Sequence, residues 1–160
     1  MSDSKNDGAP FCDLIEAARK AVRLAYCPYS NFPVGAAIKT HSGLIYLGAN
    51  IENASLTQTK HAEEVALMNA VGNFELLNAT RIGLDKKFAF VRSLAIYVPK
   101  APGTWPCFNC RQTLSEFFRD QPIITITGPG EDDFEIMRFS ELAPHGMLAS
   151  DVLEAARSTD

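Results

Sequence analysis

His61-Ala62-Glu63 in the first half of the chain and Pro106-Cys107-Phe108-Asn109-Cys110 in the second supply an imidazole, a carboxylate and two thiols. Zinc favours imidazole nitrogen and thiolate sulfur, and a catalytic zinc usually keeps three protein ligands so that water can take the fourth tetrahedral position. His61, Cys107 and Cys110 make that set. Glu63 follows His61 too closely to bind the same metal easily from a helix, yet it can stand beside a water there and carry its protons. Taken singly, CxxC also serves structural zinc sites and redox pairs, and HxE says less still. Their conjunction points to a hydrolytic zinc site, with a structural zinc as the alternative. Glu63 separates the two, because a structural site has no use for it.

Two distant segments must be brought together for this chemistry, and helix starts can do it. Residues 59–71 are helix formers with Val65, Met68 and Val71 along one side, which predicts a buried stripe and puts His61 and Glu63 in the first turn. Pro106 leads into a second helix with Leu114, Phe117 and Phe118 as its buried face, so Cys107 and Cys110 lie near its start. Helix N-termini present unpaired N–H groups and a positive dipole end, which favour thiolates. Two thiolates and a neutral imidazole offset the charge of zinc, leaving the ligand set formally neutral and the water easier to ionise.

Around these helices, Asp13 is a candidate cap for a helix bearing Leu14, Ala18, Ala21, Val22 and Ala25, ending before Pro28. Residues 34–39 and 44–48 read as a hairpin whose turn holds His41, an expected solvent-exposed residue. Residues 93–98, 123–127 and 134–139 read as further strands, and Asp151 with Glu154 marks the start of a last helix. The polar residues 1–10 read as a flexible tail, and 11–160 as a single α/β domain.

A chain of 160 residues, 46% hydrophobic, is enough for one full core. Fifteen basic against nineteen acidic residues give a net charge of −4, which argues against a nucleic-acid partner, since such binders carry basic stripes. Residues 1–10 lack the apolar stretch of a signal peptide and nothing approaches a membrane span, so a cytoplasmic protein with no membrane partner is expected. In that compartment a close cysteine pair more often holds metal than a disulfide. Cys12 and Cys27 stand outside any ligand spacing and are expected to have structural roles as small hydrophobes, with a Cys27 exposed to oxidation as the alternative.

Several stretches together resemble the cytidine deaminase family: Tyr26-Cys27-Pro28-Tyr29-Ser30-Asn31-Phe32-Pro33-Val34-Gly35, Gly48-Ala49-Asn50-Ile51-Glu52-Asn53-Ala54-Ser55, His61-Ala62-Glu63 and Pro106-Cys107 through Cys110-Arg111-Gln112. HxE followed by PCxxC is the signature of zinc deaminases. The resemblance implies a mixed five-stranded sheet sandwiched between helices. It implies one Zn2+ per subunit on His61, Cys107 and Cys110, and Glu63 as the catalytic proton shuttle. Asn50 and Glu52 match positions that hold ribose hydroxyls, Phe32 the aromatic against the base, and Ala62 the backbone at the pyrimidine edge. The implied reaction is hydrolytic deamination of cytidine or deoxycytidine with release of ammonia, in pyrimidine salvage, by a homo-oligomer, dimer or tetramer, acting on a small-molecule nucleoside.

The chain departs from the family pattern at several positions. Phe108 stands where glycine is usual, Leu56 where an aromatic is common, and His145 and Met147 flank a glycine where relatives close over the base. If these side chains reshape the base pocket, the substrate is a modified aminopyrimidine nucleoside. Glu64 follows the HAE motif where three-cysteine members tend to carry arginine, which a neutral ligand set does not need. Residues 77–91 read as an insertion, with Lys86-Lys87-Phe88 as a candidate lid or subunit contact.

Overall fold

The computed structural model describes residues 11–81, 90–147 and 152. Residues 1–10, the Lys86-Lys87-Phe88 stretch and the expected helix start at Asp151 lie outside these. In chain order the elements are α1 (Cys12–Ala21) with a 3₁₀ turn (Val22–Leu24), β1 (Gly35–Thr40), β2 (Ile45–Ala49), a 3₁₀ turn (Leu56–Gln58), α2 (Ala62–Gly72) and α3 (Glu75–Arg81). There follow β3 (Val91–Tyr97), α4 (Phe108–Leu114), β4 (Pro122–Ile126), β5 (Phe134–Arg138) and α5 (Phe139–Leu142). The strands form one five-stranded sheet in the order β2-β1-β3-β4-β5. Its pairings are antiparallel except β3 with β4, where Leu94, Ala95 and Ile96 stand opposite Ile123, Ile124 and Thr125 in parallel.

Alternation along the strands builds a core on each face of the sheet. Ala37, Ala95, Ile124 and Ile126 point to one side and pack with Leu14, Ile15 and Ala18 of α1. Ala36, Ile38, Leu94, Ile96 and Ile123 point to the other and meet Ala62, Ala66, Leu67 and Ala70 of α2, with Leu114 and Phe118 beyond them. This is the expected mixed sheet between helices.

Four expectations are corrected. Asp13 lies inside α1 and not at its cap, because Phe11 packs into the α1 core and starts the helix earlier; Asp13 accepts from the Leu14 N–H at 2.8 Å and from Lys39 Nζ at 2.7 Å. The buried side of α2 is its alanine side, while Met68 is 54% and Val71 37% exposed. The small side chains bring α2 close enough to β2 that a Cβ on Gly48 would stand 2.1 Å from the Ala62 carbonyl and 2.3 Å from the Ala66 nitrogen. His41 is not a free turn residue: its N–H donates to Phe90 O at 2.8 Å, and its Nδ1 lies 3.8 Å from Glu75 Oε2 at the start of α3. Cys12 is exposed, where a small buried residue was expected, and Cys27 is half-buried.

Candidate active site

The segment after β2 is shaped by its own backbone pairings. The Ile51 and Lys60 backbones hydrogen-bond both ways at 2.9 Å, which pinches off residues 52–59 as a loop and delivers the chain to His61 at the cap of α2. His61 has extended backbone angles, and Ala62 and Glu63 follow it in the first turn. Cys107 occupies the equivalent cap position of α4, and Cys110 is buried within that helix. Both ligand-bearing segments therefore enter the site as helix starts, as their sequences predict.

His61 Nδ1 lies 3.4 Å from Cys107 Sγ and 3.3 Å from Cys110 Sγ. A tetrahedral zinc with bonds of about 2.05 Å to nitrogen and 2.3 Å to sulfur would separate such atoms by about 3.5 Å. The donor set and its spacing thus fit a zinc ion, and all three ligand atoms lie within 4.8 Å of one another. Electrostatics agree. Burial pushes the Cys110 thiol well above the ordinary range, with the negative charges of Glu63 and Cys107 adding to the effect. A cation beside the sulfur would oppose this shift and stabilise the thiolate.

Glu63 is 6% exposed and lines a cavity of about 340 Å³ together with His61, Ala62 and Cys107. Burial raises the proton affinity of its carboxyl, opposed by a backbone N–H and by the charge of His61. Phe32, Asn50 and Glu52 line the same cavity, so every sequence-predicted site residue except the buried Cys110 borders it. Asn50 is 8% exposed: its Oδ1 accepts from Val34 N–H at 2.8 Å and its Nδ2 donates to Phe32 O at 2.9 Å. It thereby fixes the loop that carries Phe32, in which Asn31 takes a positive φ of 51°. Glu52 Oε2 accepts from the Tyr29 and Ser30 N–H groups at 2.8 and 3.2 Å, and hydrogen bonding with Ser30 leads the causes that lower its pKa.

Over residues 11–126 the chain matches the family described as the cytidine and deoxycytidylate deaminase zinc-binding region. It belongs to that family. A cytidine deaminase of Sporosarcina psychrophila is 34% identical over 143 residues, covering 89% of this chain and 95% of the relative. One from Halalkalibacterium halodurans is 32% identical over 139 residues, covering 87% and 95%. Among solved structures, cytidine deaminase from Burkholderia pseudomallei superposes with a TM-score of 0.69 at 30% identity, covering 84% of this chain and 97% of that one.

Within this deaminase-family fold, Phe108, Leu56 and His145, which depart from the family pattern, are not among the residues that line the cavity. Phe108 is 82% exposed, with the Arg111 guanidinium 4.7 Å above its ring, and it borders a separate groove with His145. Leu56 is 68% exposed and does not line the cavity. Phe108 does not line the cavity, because the first turn of α4 points that ring outward. Trp105, Thr104 and Thr59 do line the cavity. The sequence reading assigned them no role, although a lone tryptophan directly before PCxxC was a usable signal.

Proposed function

We propose that this chain is a zinc-dependent hydrolase that converts cytidine and deoxycytidine to uridine and deoxyuridine with release of ammonia. The observation that carries this reading is the buried Glu63 carboxylate beside an N,S,S ligand set at the wall of a nucleoside-sized cavity. His61, Cys107 and Cys110 would hold the zinc ion, which would supply the Lewis acidity that makes water a nucleophile near neutral pH. Glu63 would take one proton from the water and pass it to N3 of the base as the oxygen adds to C4; it would then take the remaining proton of the new C4 hydroxyl and pass it to the amine, which leaves as ammonia as C4=O forms. A group that acts first as base and then as acid works best with a proton affinity near the operating pH, and burial moves Glu63 in that direction.

Substrate contacts follow from the chemistry of the lining. Phe32 and Trp105 offer flat apolar faces to a heterocycle, and the Ala62 backbone meets its polar edge. Glu52 Oε2 is engaged by backbone N–H groups, which leaves Oε1 to accept from a ribose hydroxyl. Asn50 contributes the remaining lone pair of its Oδ1 and, through its bonds to residues 32 and 34, the position of Phe32. The modified-nucleoside reading rested on Phe108, Leu56 and His145. Their positions outside the cavity leave unmodified cytidine as the better-supported base.

The enzyme acts in pyrimidine salvage in the cytoplasm, on a free nucleoside and not on a polynucleotide. Its net charge of −4 supports the latter point, and no helix among the described residues is long and apolar enough to cross a membrane. It works as a homo-oligomer, a reading supported by exposed apolar side chains at Met68, Phe74, Leu77 and Phe108. Ammonia release by the zinc-loaded protein, measured on cytidine, deoxycytidine and cytosine, tests the assignment. Turnover of both nucleosides is expected; silence on both nucleosides would reject it.

A further inference from the structure

Glu64 stands where the two halves of the metal site meet, and no step of the reaction above uses it. Its Oε2 accepts from the His61 backbone N–H at 3.1 Å, while its Oε1 accepts from Asn109 Nδ2 and from the Thr113 hydroxyl, each at 3.2 Å. Asn109 lies between Cys107 and Cys110, and Thr113 one turn further along α4. One carboxylate thus joins the backbone of the histidine ligand to the helix that carries both thiols. The covalent path between these segments runs through α3 and β3, so it fixes their separation poorly by itself.

We propose that Glu64 is a positioning residue for the metal: a strut between α2 and α4 that holds His61 at a set distance from Cys107 and Cys110, and so determines how long the cation is retained. The inference rests on the zinc reading given above. Ligands drawn from two segments bind tightly only if the segments are already spaced for the ion, because ordering them on binding costs free energy. Groups that support metal ligands in this way are typically worth about 10- to 100-fold in metal affinity. The choice of acid over amide also has a reason. The His61 N–H and the Asn109 NH2 face Glu64 as donors only, while the Thr113 hydroxyl, also 3.2 Å from Asn109 O, can donate or accept; a carboxylate offers acceptors to all three, whereas glutamine would turn an NH2 toward one of the two obligate donors.

The experiment follows zinc leaving the loaded protein into excess chromophoric chelator, for wild type, Glu64→Gln and Glu64→Ala. Release should accelerate by about 10-fold or more in the alanine variant and by a smaller factor in the glutamine variant. The visible absorption of the cobalt-substituted variants should shift, reporting altered ligand geometry. A merely structural Glu64 would instead lower the melting temperature equally with and without metal and leave release within about twofold of wild type; that result overturns the proposal. Should Glu64→Ala not fold, Thr113→Val, which loses one of the three donors, carries the comparison: release a few-fold faster is expected, and unchanged release overturns the strut. A wild type that takes up no zinc would reject the zinc reading itself, before any variant is made.

Discussion

The Glu63 carboxylate is almost out of water, and burial penalises its charged form. Glutamine at this position keeps the volume and removes only the transferable proton. Glu63→Gln should therefore retain zinc and fold while losing about 10²- to 10⁴-fold in kcat, measured by ammonia release beside a zinc assay. Proton linkage gives a second expectation for the metal-free protein. A carboxyl whose folded proton affinity is raised contributes stability at low pH and loses it as pH climbs from the ordinary glutamate range toward the folded value. The Cys110 thiol, raised likewise, extends the same trend to alkaline pH. The melting temperature of the chelator-treated protein should therefore fall as pH rises above the ordinary glutamate range, and further above the ordinary thiol range. Glu63→Gln should flatten the acid side of that slope; a slope unchanged in the variant would assign it to other groups.

At the scale of elements, the contact that positions His61 and Glu63 is the close seating of α2 on β2. Gly48 permits it, since any Cβ there would run into the backbone of Ala62 and Ala66. Backbone cannot swing aside as a side chain can, so Gly48→Ala should destabilise the fold by at least about 1–3 kcal/mol. It should also weaken zinc retention, because the displaced turn is the one that bears the ligand; calorimetry and a zinc assay read both. The strands were legible to within a residue or two, because alternation and turn residues mark them directly. The buried face of α2 was not: Val65, Met68 and Val71 are the more hydrophobic residues, but alanines are what allow a helix this near a sheet. The order of the ligand motifs was legible because cap positions and ligand positions coincide at His61 and Cys107. The outward turn of Phe108, and the cross-segment partners of Glu64 at Asn109 and Thr113, depend on how two helices meet in space. No local pattern carries that.

For the whole molecule, the metal joins parts of the chain that the sheet alone leaves loosely related. Stripping zinc with a chelator should lower the melting temperature, and restoring it should recover the difference, since an ion that binds only the folded form at 1,000 times its Kd adds about 4 kcal/mol. An unchanged melting temperature would mean that the triad holds no ion with useful affinity. The parallel pairing of β3 with β4 has a consequence for how the protein comes into being. His61 belongs to a unit of near neighbours, the β1–β2 hairpin with α2 on its face, whereas Cys107 and Cys110 arrive on the crossover between two parallel strands. Local contacts form early, and parallel crossovers are slow because a long loop must close before its contacts are rewarded. In a refolding experiment, helical signal should therefore rise first and cobalt–thiolate absorption last, which makes the metal a reporter of the final step of assembly.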